Sequence, residues 1–406
     1  MSARHLLVIG GGASGLSAAV RAAENGASVT LLERFRKPGR KLLATGNGRC
    51  NLANTGAPLY FGDAGFAVQT LDALPVNTML ETFERWGLHT VAEADGRVYP
   101  ACGQAAAVLD VLLARARANG VQMVLDASVR ALTFDGARFF ARTEAGVEYA
   151  ADGCILAFGG CAGGNLGCAR NAYALAEAFG HTVSPLAPAL APLVTDKSAV
   201  RFLAGMRAPV IVTLMDGKAP VCAAQGEALF ADYGVSGICV MQLARDAYLL
   251  EKRGAAPWLR VDFSPMLGLA RRAFGRLDAF ALEDHAADAR EMLQARARVL
   301  PENELLLGLV PAQLAQRLSG ARPDALPELL TAYPIPVRGV RSFENAQVTQ
   351  GGVSCHEVSP QTMESRLMPG LFLTGEALDV DGDCGGYNLQ FAFCSGMLAG
   401  ESAARA

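Results

Sequence analysis

The chain has 406 residues, 51% hydrophobic and 18% charged, with a formal net charge of -3. That length exceeds what one hydrophobic core usually supports, so two domains, one interrupted by the other, are expected. The composition excludes disorder. The charge offers no global basic field for neutralising phosphates, so nucleic acid is set aside as a partner.

The first apolar run, Leu6-Leu7-Val8-Ile9, is broken at once by three glycines, so no secretory h-region is expected. No apolar run approaches the about eighteen residues of a membrane span, so no membrane partner is expected. Ten cysteines without a CxxC spacing read as small buried hydrophobes of a reducing cytoplasm, not as a zinc ribbon or a dithiol.

Leu6 to Ile9 reads as a short buried strand, Gly15 to Asn25 as an alanine-rich helix and Ser28 to Leu32 as a second strand, the order of a βαβ unit. The turn between strand and helix, Gly10-Gly11-Gly12-Ala13-Ser14-Gly15, satisfies G-x-G-x-x-G in the context that gives the motif its meaning. Gly10 permits the tight turn, Gly12 lets the backbone approach a pyrophosphate, and Ser14 and Gly15 open the helix, whose first N–H groups face the phosphates. Glu33, closing the second strand, is the expected acceptor for adenosine ribose hydroxyls, and its charge disfavours a 2'-phosphate. The fingerprint alone does not choose between FAD and NAD, because both present ADP.

Residues 36 to 56 form a long loop rich in glycine and cations, with Arg40, Lys41, Gly48, Arg49, Cys50 and Asn51. Cations, flexible backbone and an amide suit a pyrophosphate and a flavin edge, although on charge alone a solvated loop is the commoner case. Helical patterns follow at Val76 to Trp86 and Gly103 to Asn119. Residues 121 to 157 read as a strand, a meander with turns at Asp135-Gly136 and Ala145-Gly146, and a return strand from Cys154 to Phe158. Gly159-Gly160-Cys161-Ala162-Gly163-Gly164 follows that strand, but a cysteine replaces the second glycine of a fingerprint.

After Pro185, Pro188 and Pro192 the pattern changes. Residues 194–340 are expected to be an insert domain, strand-rich over 194–262 and mainly helical over 263–340, within a discontinuous domain of 1–193 and 341–406. In the returning segment, Gly375-Glu376 ends a strand where the acid can accept a ribityl hydroxyl. Gly385 to Asn388 then open a helix whose positive end would face a flavin N1–C2 carbonyl.

The five histidines lie far apart without HxH or HExxH spacing, so no metal site is expected. Cys355-His356 suggests a thiol-base pair, but adjacent strand residues point to opposite faces. Tyr387, beside the proposed helix start, is the candidate proton donor.

The stretch from Arg40-Lys41-Leu42 through Gly46-Asn47-Gly48-Arg49-Cys50-Asn51-Leu52 resembles the signature loop of a bacterial flavoprotein family known as aminoacetone-oxidase-like proteins or NAD(FAD)-utilising dehydrogenases. Bile-acid 3-dehydro reductases within that family are similar. Thr349 to Val353, Thr362 to Ser365, and Gly370 to Gly382 running into Gly385-Gly386-Tyr387-Asn388-Leu389-Gln390 match the same pattern, so the resemblance spans almost the whole chain. It implies an α/β fold: a glutathione-reductase-like, Rossmann-type FAD domain carrying a large α+β insert. It also implies FAD contacts at Glu33, Arg40, Lys41, Gly48, Arg49, Cys50, Asn51, Val129, Gly375, Glu376, Asp379, Gly385, Gly386, Asn388 and Leu389.

Cys50 and Cys384 fall in the flavin-proximal motifs and read more readily as small side chains than as a redox pair. One departure is Gly167-Cys168-Ala169-Arg170-Asn171, where family members carry Gly-Asp-Gly-Tyr, and no role is assigned to Arg170 or Asn171. Ala231 to Gly237 matches a family Gly-x-Ser-Gly turn and reads as structural.

The expected activity is FAD-dependent hydride or electron transfer to or from a small organic substrate, an enone or ketone, at the insert-domain interface, with NADH or NADPH as a transient donor. A flavin-containing binding or regulatory module whose helical insert meets a partner is the alternative. An NAD-only dehydrogenase would leave the loop and C-terminal motifs without work. Nothing in the sequence fixes the oligomeric state.

Overall fold

Leu6, Leu7 and Val8 have no exposed surface and Ile9 retains 5%. Such an uninterrupted apolar run belongs at the centre of a parallel sheet covered on both faces. In the computed structural model, which describes residues 3–167 and 170–406, that strand, β1 (His5–Ile9), lies between β2 (Ser28–Leu32) and β4 (Gly153–Leu156). The flanking strands are β3 (Gln122–Val124) and β5 (Leu371–Leu373), giving the order β5-β4-β1-β2-β3 with every pair parallel. The order reverses between β1 and β4. The carboxyl ends of these two strands therefore open the crevice where doubly wound folds bind ligands.

Helix α1 (Ala13–Glu24) leaves β1 through the glycine turn. Helices α2 (Arg40–Ala44), α3 (Ala105–Ala118) and α4 (Tyr387–Arg405) complete the frame. The loop expected over 36–56 thus contains a short helix, followed by a 3-10 turn over Thr45–Gly48. The meander is a three-stranded antiparallel sheet of Val129–Phe134, Phe139–Thr143 and Glu148–Ala151.

By density of contacts the chain divides into Met1–Ala187 with Val348–Ala406, and Pro188–Gln347. In the second unit, six antiparallel strands close on themselves: Arg207–Asp216, Trp258–Asp262, Tyr333–Val340, Leu193–Thr195, Gly234–Ser236 and Ala219–Ala231, the last pairing back with the first. Gly275–Leu277 attaches outside this ring. Helices Ala286–Ala297, Ala312–Leu318 and Leu326–Thr331 lie in the later part of this unit, and Tyr333–Val340, at the end of the stretch read as mainly helical, is a strand. Its buried residues alternate strictly from Tyr333 to Val337, and Pro334 and Pro336 occupy exposed positions, so the prolines obscured a strand. No described helix is long and apolar enough to cross a membrane.

Helix α4 lies against α1 with no room for side chains at two positions. A Cβ on Gly396 would stand 2.3 Å from the Ser14 carbonyl oxygen, and one on Gly400 would stand 2.2 Å from that of Ala18. Gly396→Ala and Gly400→Ala are therefore expected to lose on the order of 1–3 kcal/mol by overpacking, despite the roughly 1 kcal/mol that alanine gains in helix propensity. Gly320→Ala is the control, because a Cβ there meets nothing within 4 Å. Urea unfolding reads both, and a Gly396→Ala protein as stable as the control would refute the close approach.

Candidate cofactor site

The glycine turn is shaped by crowding. Gly10 has φ of 110°, and its Cβ would lie 2.4 Å from the Ala157 carbonyl oxygen of the neighbouring strand exit. A Cβ on Gly15 would lie 1.9 Å from the Gly10 oxygen. Gly12, the N-cap of α1, faces open space instead, and a Cβ there would meet nothing within 4 Å. No side chain caps α1 and no acid occupies its first turn, so its N–H dipoles at Ala13, Ser14 and Gly15 point outward without a protein anion.

Glu33 is only 7% exposed, and its carboxylate accepts the Gly11 N–H at 2.7 Å and the Phe35 N–H at 2.9 Å. The Glu33 carbonyl accepts the Ala127 N–H at 2.8 Å, which brings the start of the meander, and Val129 with it, to the same end of the crevice. The Arg40 guanidinium lies 4.2 Å over the Phe35 ring, and that of Arg34 lies 4.3 Å from the same ring centroid.

The 45–51 loop is held by left-handed residues. Gly46, Asn47, Gly48 and Cys50 all have positive φ, and the Cys50 N–H donates to the Thr45 carbonyl at 3.0 Å. Arg49 leaves the loop outward, pairing with Glu93 at 2.9 Å and stacking 4.0 Å over Tyr99. Lys41 pairs with Glu376 at 2.7 Å.

The C-terminal segment closes on these elements. The Gly375 N–H donates to Ser395 Oγ at 3.0 Å, and a Cβ on Gly375 would lie 2.8 Å from Ser14 Oγ. Gly386 caps α4 with φ of 107°, pressed against the Ala53 carbonyl and Asn51 Oδ1. Asn388 bridges both main-chain groups of Gly382, accepting its N–H at 2.8 Å and donating to its carbonyl at 2.7 Å. Gln390 Oε1 accepts the Asn54 N–H at 2.8 Å. Again no side chain caps the helix and its first turn, which includes Leu389, holds no acid. Asn51 Oδ1 is buried without a hydrogen-bond partner among the described residues, the kind of orphan that a ligand N–H satisfies. Two bare helix N-termini, a buried carboxylate at the end of β2 and this orphaned acceptor fit FAD.

Asp379 turns elsewhere. Its Oδ2 accepts from Ser184 Oγ at 2.7 Å and its carbonyl accepts the Asp63 N–H at 2.8 Å, on the wall of a cleft of about 540 Å³ lined also by Thr182, Ser354, Cys355 and His356. Tyr387 is half-buried and edge-on to Tyr60 at 5.8 Å, and burial raises its phenol pKa. Cys355 and His356 stand in a 3-10 turn, Cys355–Glu357, not a strand as expected. The thiol is 3% exposed and pushed up by burial first and by Asp63 and Asp379 next. Cys168 lies outside the described residues. Among the described residues no metal-binding cluster occurs.

Sequence reading missed one constellation. His181 Nε2 lies 2.8 Å from Ser365 Oγ, and His181 Nδ1 lies 3.0 Å from Glu357 Oε2. The spacing is that of a hydrolytic triad, but Ser365 Oγ is buried and accepts two N–H groups, from Leu367 and Met368, each at 3.0 Å. Its proton therefore goes to Nε2, and the arrangement is a structural tie. His181 and Ser365 are 184 positions apart, so no local pattern announced them.

Burial lowers the His181 pKa against the opposing pull of Glu357. The folded value lies below the unfolded one, so this tie contributes stability above about pH 6.5, lost as pH falls through the folded value. Unfolding free energy is expected to drop between pH 7.5 and 5.5, with a shallower slope in His181→Gln; equal slopes would exclude the tie as the cause. Burial also pushes the Cys50 thiol to about 12 and, with Asp383, that of Cys384 to about 11. Neither suits a charge-transfer thiolate. Iodoacetamide at pH 8 is expected to label exposed Cys102 and spare Cys50 and Cys384; rapid labelling of either would reverse that conclusion.

The profile of the HI0933-like protein Rossmann domain matches residues 4–402. The 3-dehydro-bile acid delta(4,6)-reductase of Clostridium scindens is 37% identical, covering 98% of this chain and 98% of that protein. The ribosomal RNA dihydrouridine synthase of Escherichia coli is 28% identical over 96% of this chain and 95% of its own. Among solved structures, 3-ketosteroid delta1-dehydrogenase from Sterolibacterium denitrificans covers 100% of both chains with a TM-score of 0.56 at 13% identity, a likeness of fold alone. A relative that acts on ribosomal RNA removes the ground for setting nucleic acid aside on net charge. The chain belongs to the HI0933-like family of FAD-dependent Rossmann oxidoreductases.

Proposed function

We propose that this chain is a reductase that saturates a conjugated carbon–carbon double bond in a small organic enone, using FAD and a nicotinamide donor. The observation that carries this reading is the pair of glycine-capped, acid-free helix N-termini at α1 and α4. When bound, FAD supplies hydride exchange at its ring. The α1 N–H groups would hold the pyrophosphate and Glu33 the adenosine ribose. The α4 N-terminus, braced by Asn388 and Gly386, would stabilise negative charge at the flavin's carbonyl edge. Tyr387 would keep its proton across neutral pH, since burial raises its pKa, and deliver it to the substrate carbon or enolate oxygen. The full-length likeness to a bile-acid enone reductase supports the substrate class.

A second reading, reduction of a uridine in RNA, is favoured by the dihydrouridine synthase relative. That relative is 28% identical, against 37% for the bile-acid reductase.

Purified protein is expected to be yellow with bound FAD, to bleach anaerobically with NADH or NADPH, and to regain colour with a 3-oxo-4-ene steroid but not with ribosomal RNA. A colourless protein that FAD cannot reconstitute would end the proposal, and recovery with RNA alone would select the second reading. Tyr387→Phe is expected to slow enone turnover about a hundredfold while leaving bleaching by the donor intact. Unchanged turnover removes Tyr387 as the proton donor.

A further inference from the structure

Lys41 sits on α2, in the loop whose cations suggest phosphate binding, yet its Nζ lies 2.7 Å from Glu376 Oε2 across 335 positions of chain. The two side chains are 29% and 19% exposed, so the pair is substantially withdrawn from water and is not an ordinary surface contact. The other carboxylate oxygen, Oε1, accepts the Thr349 N–H at 2.8 Å. Thr349, with no exposed surface, accepts the Ala162 N–H on its own Oγ1 at 2.9 Å. Four separate stretches of chain meet at one carboxylate and one hydroxyl.

Gly160 shows what this arrangement excludes. Its φ is not in the left-handed region, so conformation does not require glycine there. Room does: a Cβ would stand 2.5 Å from Thr349 Oγ1 and 2.6 Å from Glu376 Oε1. Gly167 is likewise filled against the Ala162 carbonyl, 2.5 Å from a Cβ. Gly160 is thus filled by close contacts, as is Gly167 beyond it, and at neither position does the backbone present the bare cradle seen at Gly12.

We propose that Lys41 and Glu376, seated on Gly160 and tied through Thr349, form a latch that positions the flavin half of the cofactor site, and that Lys41 does not bind the pyrophosphate. This rests on the FAD reading above. Lys41 is a positioning residue acting through Glu376. Its charge is already matched by a carboxylate, which leaves the phosphates to the α1 N-terminus. The α1 mouth and Glu33 hold the ADP portion independently of the latch.

The separation is measurable by titrating flavin-free full-length protein with FAD and, separately, with ADP in a calorimeter. Lys41→Met and Glu376→Gln are each expected to weaken FAD binding tenfold or more and to leave ADP binding within twofold of wild type. The double variant is expected to bind FAD no more weakly than the worse single variant, because both remove one interaction. Lys41→Arg, which retains the pair, is expected to restore FAD affinity. If Lys41→Met weakens ADP as much as FAD, Lys41 is a phosphate ligand and the latch is overturned. FAD affinity unchanged in both single variants overturns it as well. Wild-type protein that binds neither FAD nor ADP would instead defeat the cofactor reading beneath it.

Discussion

The first turn of α1 is the constraint on which the rest of the molecule depends. Three backbones converge there with no space for a side chain: Gly15 against the Gly10 carbonyl, Gly396 against the Ser14 carbonyl, and Gly375 against Ser14 Oγ. A helix mouth useful for binding phosphate must present bare N–H groups, and a rigid mouth must be gripped from behind. The chain satisfies both by gripping α1 with glycines drawn from its C-terminal segment. The two ends of the cofactor crevice are thereby fixed to each other through one turn of helix.

Buried polar groups then set the detail. Glu33 fixes the turn after β2 by accepting two main-chain N–H groups, Asn388 fixes the turn before α4, and Gln390 reaches back to Asn54. Each satisfies groups that would be costly to bury unpaired. Each also joins segments distant in sequence except Asn388, whose role is local. Shape comes from missing side chains, and orientation comes from a few carboxylates and amides.

The βαβ unit was legible because its signals are local: an apolar run, spaced glycines and an acid at the end of the next strand all fall within thirty-odd residues. The α4 start was legible for the same reason. Tyr333–Val340 was not, since two prolines on its exposed face suppress strand propensity while the buried alternation persists. The partners of Lys41 and of His181 were beyond any reading of spacing, because each contact joins residues far apart in the chain. The cation-rich loop advertised its charges, but Arg49 and Lys41 each meet an acid that only the folded chain supplies. Net charge alone does not decide between a small molecule and a nucleic acid as partner, since a full-length relative is named for ribosomal RNA.

Helix α4 buries much of its surface and supplies Gly396 and Gly400 to α1, although nearly the whole chain separates the two helices. During synthesis the β1–α1–β2 unit leaves the ribosome long before its partner helix exists. The small-residue face of α1 must wait uncovered while the residues of the second unit are made, a period of tens of seconds at about 5–20 residues per second. Order of synthesis thus opposes order of assembly, and that face of α1 stays without its partner until α4 has been made.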